Sequence, residues 1–292
     1  MEILDFTYHC PASLSEAVEL GRELGDSARY FAGGTEIIID FRTQRDAAEH
    51  LISLRQVPGL DAIEADGGSL RIGAMASLAE IAESPVVEKR YPALRLAAGL
   101  MAGEQIRSQA TIGGNFCRAV SCADTPPVCI VGEARATILG ADGERSLAAE
   151  KFFTGPRQTV LRPGEILTSI VIPEQPANSG ADYQRFTLRG GQALAVAAVA
   201  ARLTLSGGKI VGARIALGAV GPTPLFVSDC GESLLGRKPG ETAFAAAAEI
   251  AAAASKPICD LRGSDEYRRD LVRTLTQRAL AAAAARAEGG SA

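Results

Sequence analysis

Histidine is scarce in this 292-residue chain, occurring only as His9 and His50. No Ser-His-Asp motif and no His, Cys or carboxylate set at metal-ligand spacing can be found, which argues against hydrolytic triads and metal centres of that kind. The six cysteines, Cys10, Cys117, Cys122, Cys129, Cys230 and Cys259, are few for this length. That number argues against a disulfide framework and agrees with a reducing compartment. Lys and Arg never cluster into a basic arm and the formal net charge is only −4, so no nucleic-acid partner is expected. No apolar run reaches the roughly 20 residues of a membrane span. The stretch "MEILDFTYHCPASL" has no basic leader and no sustained apolar segment, so the expected location is cytoplasmic. No two glycines are separated by a single residue, which excludes G-x-G-x-x-G, and the absence of G-K-[ST] excludes a P-loop.

What is present belongs to a globular protein, with 47% hydrophobic and 22% charged residues, and the length suits two domains. Ser13 with Glu16 reads as a capping box ahead of a helix carrying Leu14, Ala17, Val18, Gly21 and Leu24. "ARYFAGG" reads as a strand entering a glycine turn, "EIIIDFR" as the start of a helix or another buried segment, and "HLISL" as a short strand. Asp66-Gly67-Gly68 marks a hairpin. Ser77 with Glu80 caps a short helix, and Ser84-Pro85 opens a longer one that carries Leu94, Leu96, Ala97, Leu100 and Met101. "ATILGADGERSL" is a second hairpin and "EILTSIVIP" a strand halted by Pro173. The polar stretch "EQPANSGADY" at 174–183 marks a domain boundary. Two strands joined at Gly207-Gly208 follow, then alanine-rich helices explained by helix propensity and small-residue packing.

Two glycine pairs carry the functional signal: "FAGGTEIIID" at 31–40 and "TIGGNF" at 111–116. Each could be an ordinary tight turn that needs positive φ. Both, however, follow apolar segments and stand beside a hydroxyl or amide residue, Thr35, Thr111 or Asn115. Backbone N–H groups on such loops can cradle phosphate, and two loops suit the pyrophosphate of a dinucleotide.

"AGGTE" at 32–36, "EQIRSQATIGGNFCRA" at 104–119 and "ADTPP" at 123–127 together resemble the FAD-binding subunit of the molybdenum hydroxylases, the xanthine dehydrogenase and carbon monoxide dehydrogenase family. The resemblance continues through "PGEILTSIVIP", "RIALGAVGPTPL" and "DLRGSDEYRRDLVRTLTQRAL", so it covers nearly the whole chain. It implies an α+β fold: a two-subdomain FAD-binding fold of the vanillyl-alcohol-oxidase/PCMH type, then a smaller α+β C-terminal domain of antiparallel sheet plus helices. The corresponding boundaries are 1–175 for the FAD-binding domain, with subdomains at about 1–55 and 56–175, and 180–288 for the C-terminal domain.

By similarity, Ala32, Gly33, Gly34, Thr35, Glu36 and Ile37 hold the FAD pyrophosphate together with Thr111, Ile112, Gly113, Gly114 and Asn115, mostly through backbone amides. A Cβ at either glycine pair would then obstruct phosphate oxygens. Gly114→Val is expected to abolish FAD retention, by intruding on the pyrophosphate and by forbidding a positive φ. Asp124 matches a cofactor-contacting position, though an acid in a turn before Pro126-Pro127 is the plain alternative. Ile166 and Leu167 match the strand beside the adenine and read equally well as strand core. Arg185 stands where relatives carry a basic residue near the cofactor, or forms a surface salt bridge. Met101 matches a flavin-contact position or is simply core.

Neither histidine lies in a glycine loop, so the implied FAD is noncovalent. Some relatives hold an extra iron–sulfur cluster in this subunit, but Cys117, Cys122 and Cys129 supply three thiolates where four are the rule. Buried structural thiols are expected instead.

The resemblance implies an oxidoreductase subunit with no catalytic acid or base of its own. Electrons from iron–sulfur clusters of a partner would pass through FAD to an external acceptor. The implied partners are a large molybdenum-cofactor subunit and a small subunit with two two-iron clusters, assembled as a dimer of heterotrimers. Two other readings compete. One is a self-contained FAD-dependent reductase of the same fold, which would turn over without partners. The other is a nonenzymatic scaffold that has kept the fold, which would be colourless.

Overall fold

The computed structural model describes residues 5–289, so the first four residues of the N-terminal stretch, and of the expected first domain, lie outside it. Three main sheets and their helices follow one another along the described residues. The first unit is β1 (Thr7–His9), α1 (Leu14–Leu24), β2 (Ala28–Phe31), α2 (Ile37–Arg42) and β3 (His50–Ser53). Its three strands lie parallel in the order β1-β3-β2. Ser13 caps α1 by accepting from the Glu16 N–H at 3.1 Å. The Glu16 carboxylate reaches the Ala12 N–H, one residue before the cap, in place of the reciprocal bond of a full capping box.

The second unit contains β4 (Ile63–Asp66), β5 (Ser69–Gly73), α3 (Leu78–Glu83), α4 (Pro85–Arg90), α5 (Pro92–Leu100), α6 (Glu104–Arg107), α7 (Ile112–Cys117) and α8 (Thr125–Val131). β6 (Arg135–Gly140), β7 (Gly143–Ala148), β8 (Phe153–Gly155), β9 (Gln158–Thr159) and β10 (Ile166–Ile172) complete it. The antiparallel sheet runs β4-β5-β10-β6-β7, with β8 and β9 a separate small hairpin. Ser77 and Glu80 form the reciprocal capping box on α3. The single long helix expected after Ser84-Pro85 is instead two, α4 and α5. Pro92 has no N–H to continue α4, and Tyr91 before it leaves the helical region, which proline disfavours for the residue preceding it, at φ −155°, ψ 73°. Ile52, Leu54, Val57 and Leu60 pack with α1 and Ile166 and join the two units.

The third unit is β11 (Ser179–Phe186), β12 (Ala197–Ser206), β13 (Lys209–Gly218), β14 (Leu225–Phe226), α9 (Ser228–Glu232), α10 (Glu241–Ala254) and α11 (Asp265–Ala287). Its antiparallel sheet runs β11-β12-β13-β14, so "GADY" at 180–183 is strand rather than linker. Along β12, Ala197, Val199, Ala201 and Leu203 enter the core formed with α10 and α11, while Ala198 and Ala200 enter the core of the second unit. Small side chains on both faces allow this sheet to lie between two helical layers. Among the described residues no helix is long and apolar enough to cross a membrane.

Candidate functional site

A cleft of about 800 Å³ opens where the three units meet, within the range of roughly 300–1,000 Å³ usual for small-molecule sites. The turn after β2, the end of β5, the α6–α7 segment, the start of β10 and the β11–β12 loop all contribute to its wall. It is lined by Ala32, Gly33, Gly34, Thr35, Glu36, Ile37, Met101, Thr111, Gly113, Gly114, Asn115, Asp124, Ile166 and Leu167. Ile112 is fully buried in the core, and Arg185 stands behind Asp124; neither is among the lining residues.

The two glycine segments are built differently. In the first, the N–H groups of Gly33, Gly34, Thr35, Glu36 and Ile37 have no hydrogen-bond partner among the described residues. They are donors available to a ligand. Gly34 holds φ +77°, and a Cβ there would lie 2.7 Å from the Phe31 ring. The second segment is not a loop but the start of α7, with Thr111 as N-cap accepting from the Gly114 N–H at 3.0 Å. The N–H groups of Ile112 and Gly113 donate to the carbonyls of Ala76 at 3.1 Å and Ala74 at 2.9 Å. The amides of Ile112, Gly113, Gly114 and Asn115 are therefore engaged within the fold, and what these residues and Thr111 offer the cleft is the bare Cα of Gly114 with the side chains of Thr111 and Asn115.

At Gly33 and Gly113 the fold itself already excludes a side chain. A Cβ on Gly33 would lie 1.8 Å from the carbonyl oxygen of Gln109, and one on Gly113 would lie 2.6 Å from that of Ala74. In both cases the close neighbour is the protein's own backbone. At Gly114 a Cβ would meet only Thr111 Oγ1, at 3.1 Å, and the backbone there is helical, so the expected positive φ is absent. Arg55, which the sequence reading missed, joins the two segments: its Nε donates to the Ala32 carbonyl at 3.1 Å and its Nη2 to Gln109 Oε1 at 2.9 Å.

Arg118, a lining residue also not singled out, ties α7 to α2 by bonding Glu36 at 3.0 Å and the buried Asp40, which also pairs with Arg157. It lies inside the quoted 104–119 string, where a basic residue following a cap-and-helix segment was the available signal. Asp124 is 4% exposed. It accepts from the Tyr183 hydroxyl at 2.7 Å and from Arg185 Nη1 at 3.0 Å, while Arg185 Nη2 reaches the Leu100 carbonyl. Burial pushes the Asp124 carboxyl up, against the opposing pull of Arg185 and Tyr183. Asn115 Oδ1 accepts from Thr125 at 2.6 Å and its Nδ2 donates to Met101 Sδ at 3.6 Å, which fixes both side chains at the cleft. Gln192, Ala193 and Leu194 reach the cleft from the β11–β12 loop, and no motif in the sequence announced them.

Of the three central cysteines, Cys129 is buried, Cys122 is half-buried and Cys117 is exposed, so the expectation of buried thiols fails for Cys117. His9 Nε2 and His50 Nδ1 lie 3.1 Å apart on neighbouring strands, and neither lines the cleft.

Free peptide N–H groups at Gly33 to Ile37, together with the apolar side chains of Ile37, Met75, Met101, Ile166 and Leu167 in the same lining, suit a ligand with a phosphate centre and flat ring systems. The arrangement fits FAD without the Rossmann or P-loop motif. The family profile described as FAD binding domain in molybdopterin dehydrogenase matches residues 4–175, and that described as CO dehydrogenase flavoprotein C-terminal domain matches residues 182–283. The chain thus belongs to the FAD-binding medium subunits of the molybdenum hydroxylase family, which are oxidoreductase components. The carbon monoxide dehydrogenase medium chain of Afipia carboxidovorans is 36% identical, over 97% of this chain and 98% of its own. The xanthine dehydrogenase FAD-binding subunit of Escherichia coli O157:H7 is 30% identical, over 98% of this chain and 99% of its own. Among solved structures, carbon monoxide dehydrogenase from Hydrogenophaga pseudoflava superposes with TM-score 0.95 at 35% identity, covering 98% of this chain and 99% of the matched chain.

Proposed function

We propose that this chain is the electron-transfer subunit of a molybdenum-containing hydroxylase or dehydrogenase, holding noncovalent FAD in the cleft. The single observation that carries the reading is the row of unpartnered N–H groups from Gly33 to Ile37, all of them residues that line a cleft of about 800 Å³. These donors take the pyrophosphate. Thr111, Gly114 and Asn115 close the opposite side, Ile166 and Leu167 flank the adenine, and Met101 lies toward the flavin. Asp124 supplies a buried acceptor oriented by Tyr183 and Arg185, and Ile112 and Arg185 act from behind the wall.

When bound, FAD accepts electrons singly from iron–sulfur centres and releases them in pairs to an external acceptor. The chain's own residues bind and orient the cofactor and move no proton. The partners in this reading are a small subunit with two two-iron clusters and a large molybdenum-cofactor subunit, in a dimer of heterotrimers in the cytoplasm. Residues 1–175 form the FAD-binding domain, with subdomains at about 1–55 and 56–175, and residues 180–288 form the C-terminal domain.

The test is recovery of the tagged chain from its native host. A complex containing FAD, molybdenum and iron–sulfur in which reduced clusters reduce the flavin is the expected result. A chain recovered alone, with full turnover of an organic substrate by itself, would overturn the proposal in favour of a self-contained reductase.

A further inference from the structure

The string "DLRGSDEYRRD" at 260–270 contributes nothing to the cleft lining. It nevertheless contains a residue that joins two parts of the cleft wall from behind. Ser264 caps α11, and Arg268 lies one turn in, 3% exposed. Its Nη1 donates to the carbonyls of Val196 at 3.0 Å and Ala219 at 3.3 Å, and its Nη2 donates to Asp260 Oδ1 at 2.6 Å. A buried guanidinium directed at two main-chain carbonyls is an unusual use of a charged group, since leaving it unpaired would be costly.

The Val196 carbonyl belongs to the base of one segment that lines the cleft, and the Ala219 carbonyl to a residue hydrogen-bonded to the base of another. Val196 ends the β11–β12 loop, and its N–H donates back to the Phe186 carbonyl at 2.8 Å, so residues 187–195 are pinched at their root. That loop carries Gln192, Ala193 and Leu194 to the cleft. Tyr267, beside Arg268, packs edge-on against Phe186 with ring centroids 6.1 Å apart. At the second base, the Ala219 N–H donates to the Ser121 carbonyl at 2.6 Å, and Ser121 immediately precedes the lining residues Cys122, Ala123 and Asp124. Ala219 has φ +63°, a conformation alanine avoids unless its surroundings impose it.

We propose that Arg268, held by Asp260, is a positioning residue for the cofactor cleft. It fixes the 192–194 loop and the 122–124 segment relative to each other and thereby sets both FAD affinity and the surroundings of the bound flavin. The proposal rests on the reading that this cleft binds FAD. Lysine keeps the charge but lacks the planar fork that spans two carbonyls and a carboxylate, so it can replace arginine only in part.

The experiment measures FAD affinity by fluorescence quenching, together with the visible circular dichroism of the bound flavin, in the full chain. The proteins compared are wild type, Arg268→Met, Arg268→Lys, Asp260→Ala and Val272→Ala. Val272 is a fully buried residue of the same helix with no part in the clamp. Arg268→Met should weaken FAD binding by at least about tenfold, equivalent to about 1.4 kcal/mol, and change the flavin dichroism. Arg268→Lys should recover part of both, Asp260→Ala should show a smaller loss, and Val272→Ala should bind FAD as wild type does despite its lower stability.

If wild type fails to take up FAD, the functional reading falls and the clamp with it. If wild type binds and a folded Arg268→Met binds equally well with an unchanged flavin spectrum, the clamp alone is overturned. Should Arg268→Met not fold, unaltered affinity and dichroism in both Arg268→Lys and Asp260→Ala overturn it equally. An equal weakening in Val272→Ala at matched loss of stability would replace positioning by general loosening and also overturn it.

Discussion

A methyl group on Gly33 would lie 1.8 Å from the Gln109 carbonyl oxygen, whereas one on Gly114 would meet only a hydroxyl at 3.1 Å. The two glycines look equivalent in sequence and are constrained by different things. Gly33→Ala should therefore force the 32–37 turn away from residues 109–110, costing about 1–3 kcal/mol as overpacking does, and should weaken FAD binding. Gly114→Ala should leave the melting temperature close to wild type; thermal unfolding of the two variants side by side checks this, and equal losses would contradict it. Glu165, at the cleft rim, is held below the usual carboxylate range chiefly by its hydrogen bonds from Arg145, at 2.8 and 2.6 Å. A depressed folded-state value gives stability that is present above 4.5, the ordinary value, and is lost as pH falls through the folded-state value. Glu165→Gln should thus be less stable at neutral pH and show a shallower decline on acidification, measured as melting temperature against pH. A decline as steep as wild type's would remove this ion pair from the acid response. The glycine pairs, Thr111 and Asn115 were legible because turns and caps demand particular residue types, whereas Asp124 was legible only through the family resemblance. Which neighbour each glycine faces was not, since Gln109 and Ala74 meet them only through tertiary contact.

At the scale of elements, local signals read well wherever the physics is local. The Ser77–Glu80 box, the Gly67-Gly68 and Gly207-Gly208 turns and the strands around them all depend on contacts within a few residues. The division between α4 and α5 was also present in the sequence, as Pro92, but the apolar spacing of Leu94 and Leu96 was read through it. Thr111 caps α7 and so anchors the second cleft segment. Thr111→Ala should cost about 1 kcal/mol and reduce FAD retention together, while Thr111→Ser retains both; a stability loss with undiminished FAD retention would contradict the link. Gly180 allows β11 to lie against α11, because a Cβ there would come 2.3 Å from the Ala283 carbonyl oxygen. Gly180→Ala should destabilise by about 1–3 kcal/mol in denaturant titration, and a neutral result would mean that helix and strand separate freely.

On the scale of the whole molecule, the cleft draws its wall from all three sheet units, and the third unit buries both faces of its sheet. Pattern reading recovered the two segments of the cleft that carry glycine signatures. The β11–β12 loop and the Arg55 tie remained hidden, and Arg268 lay inside a string quoted for the family resemblance without its role being legible, because the carbonyls and side chains they meet come together only when the chain is folded. The central claim, that the assembled cleft holds noncovalent FAD, is tested most directly by the visible absorbance of the purified chain before and after acid precipitation. The account predicts flavin bands that leave the precipitate and appear in the supernatant as FAD. A colourless protein that also fails to take up added FAD would contradict it.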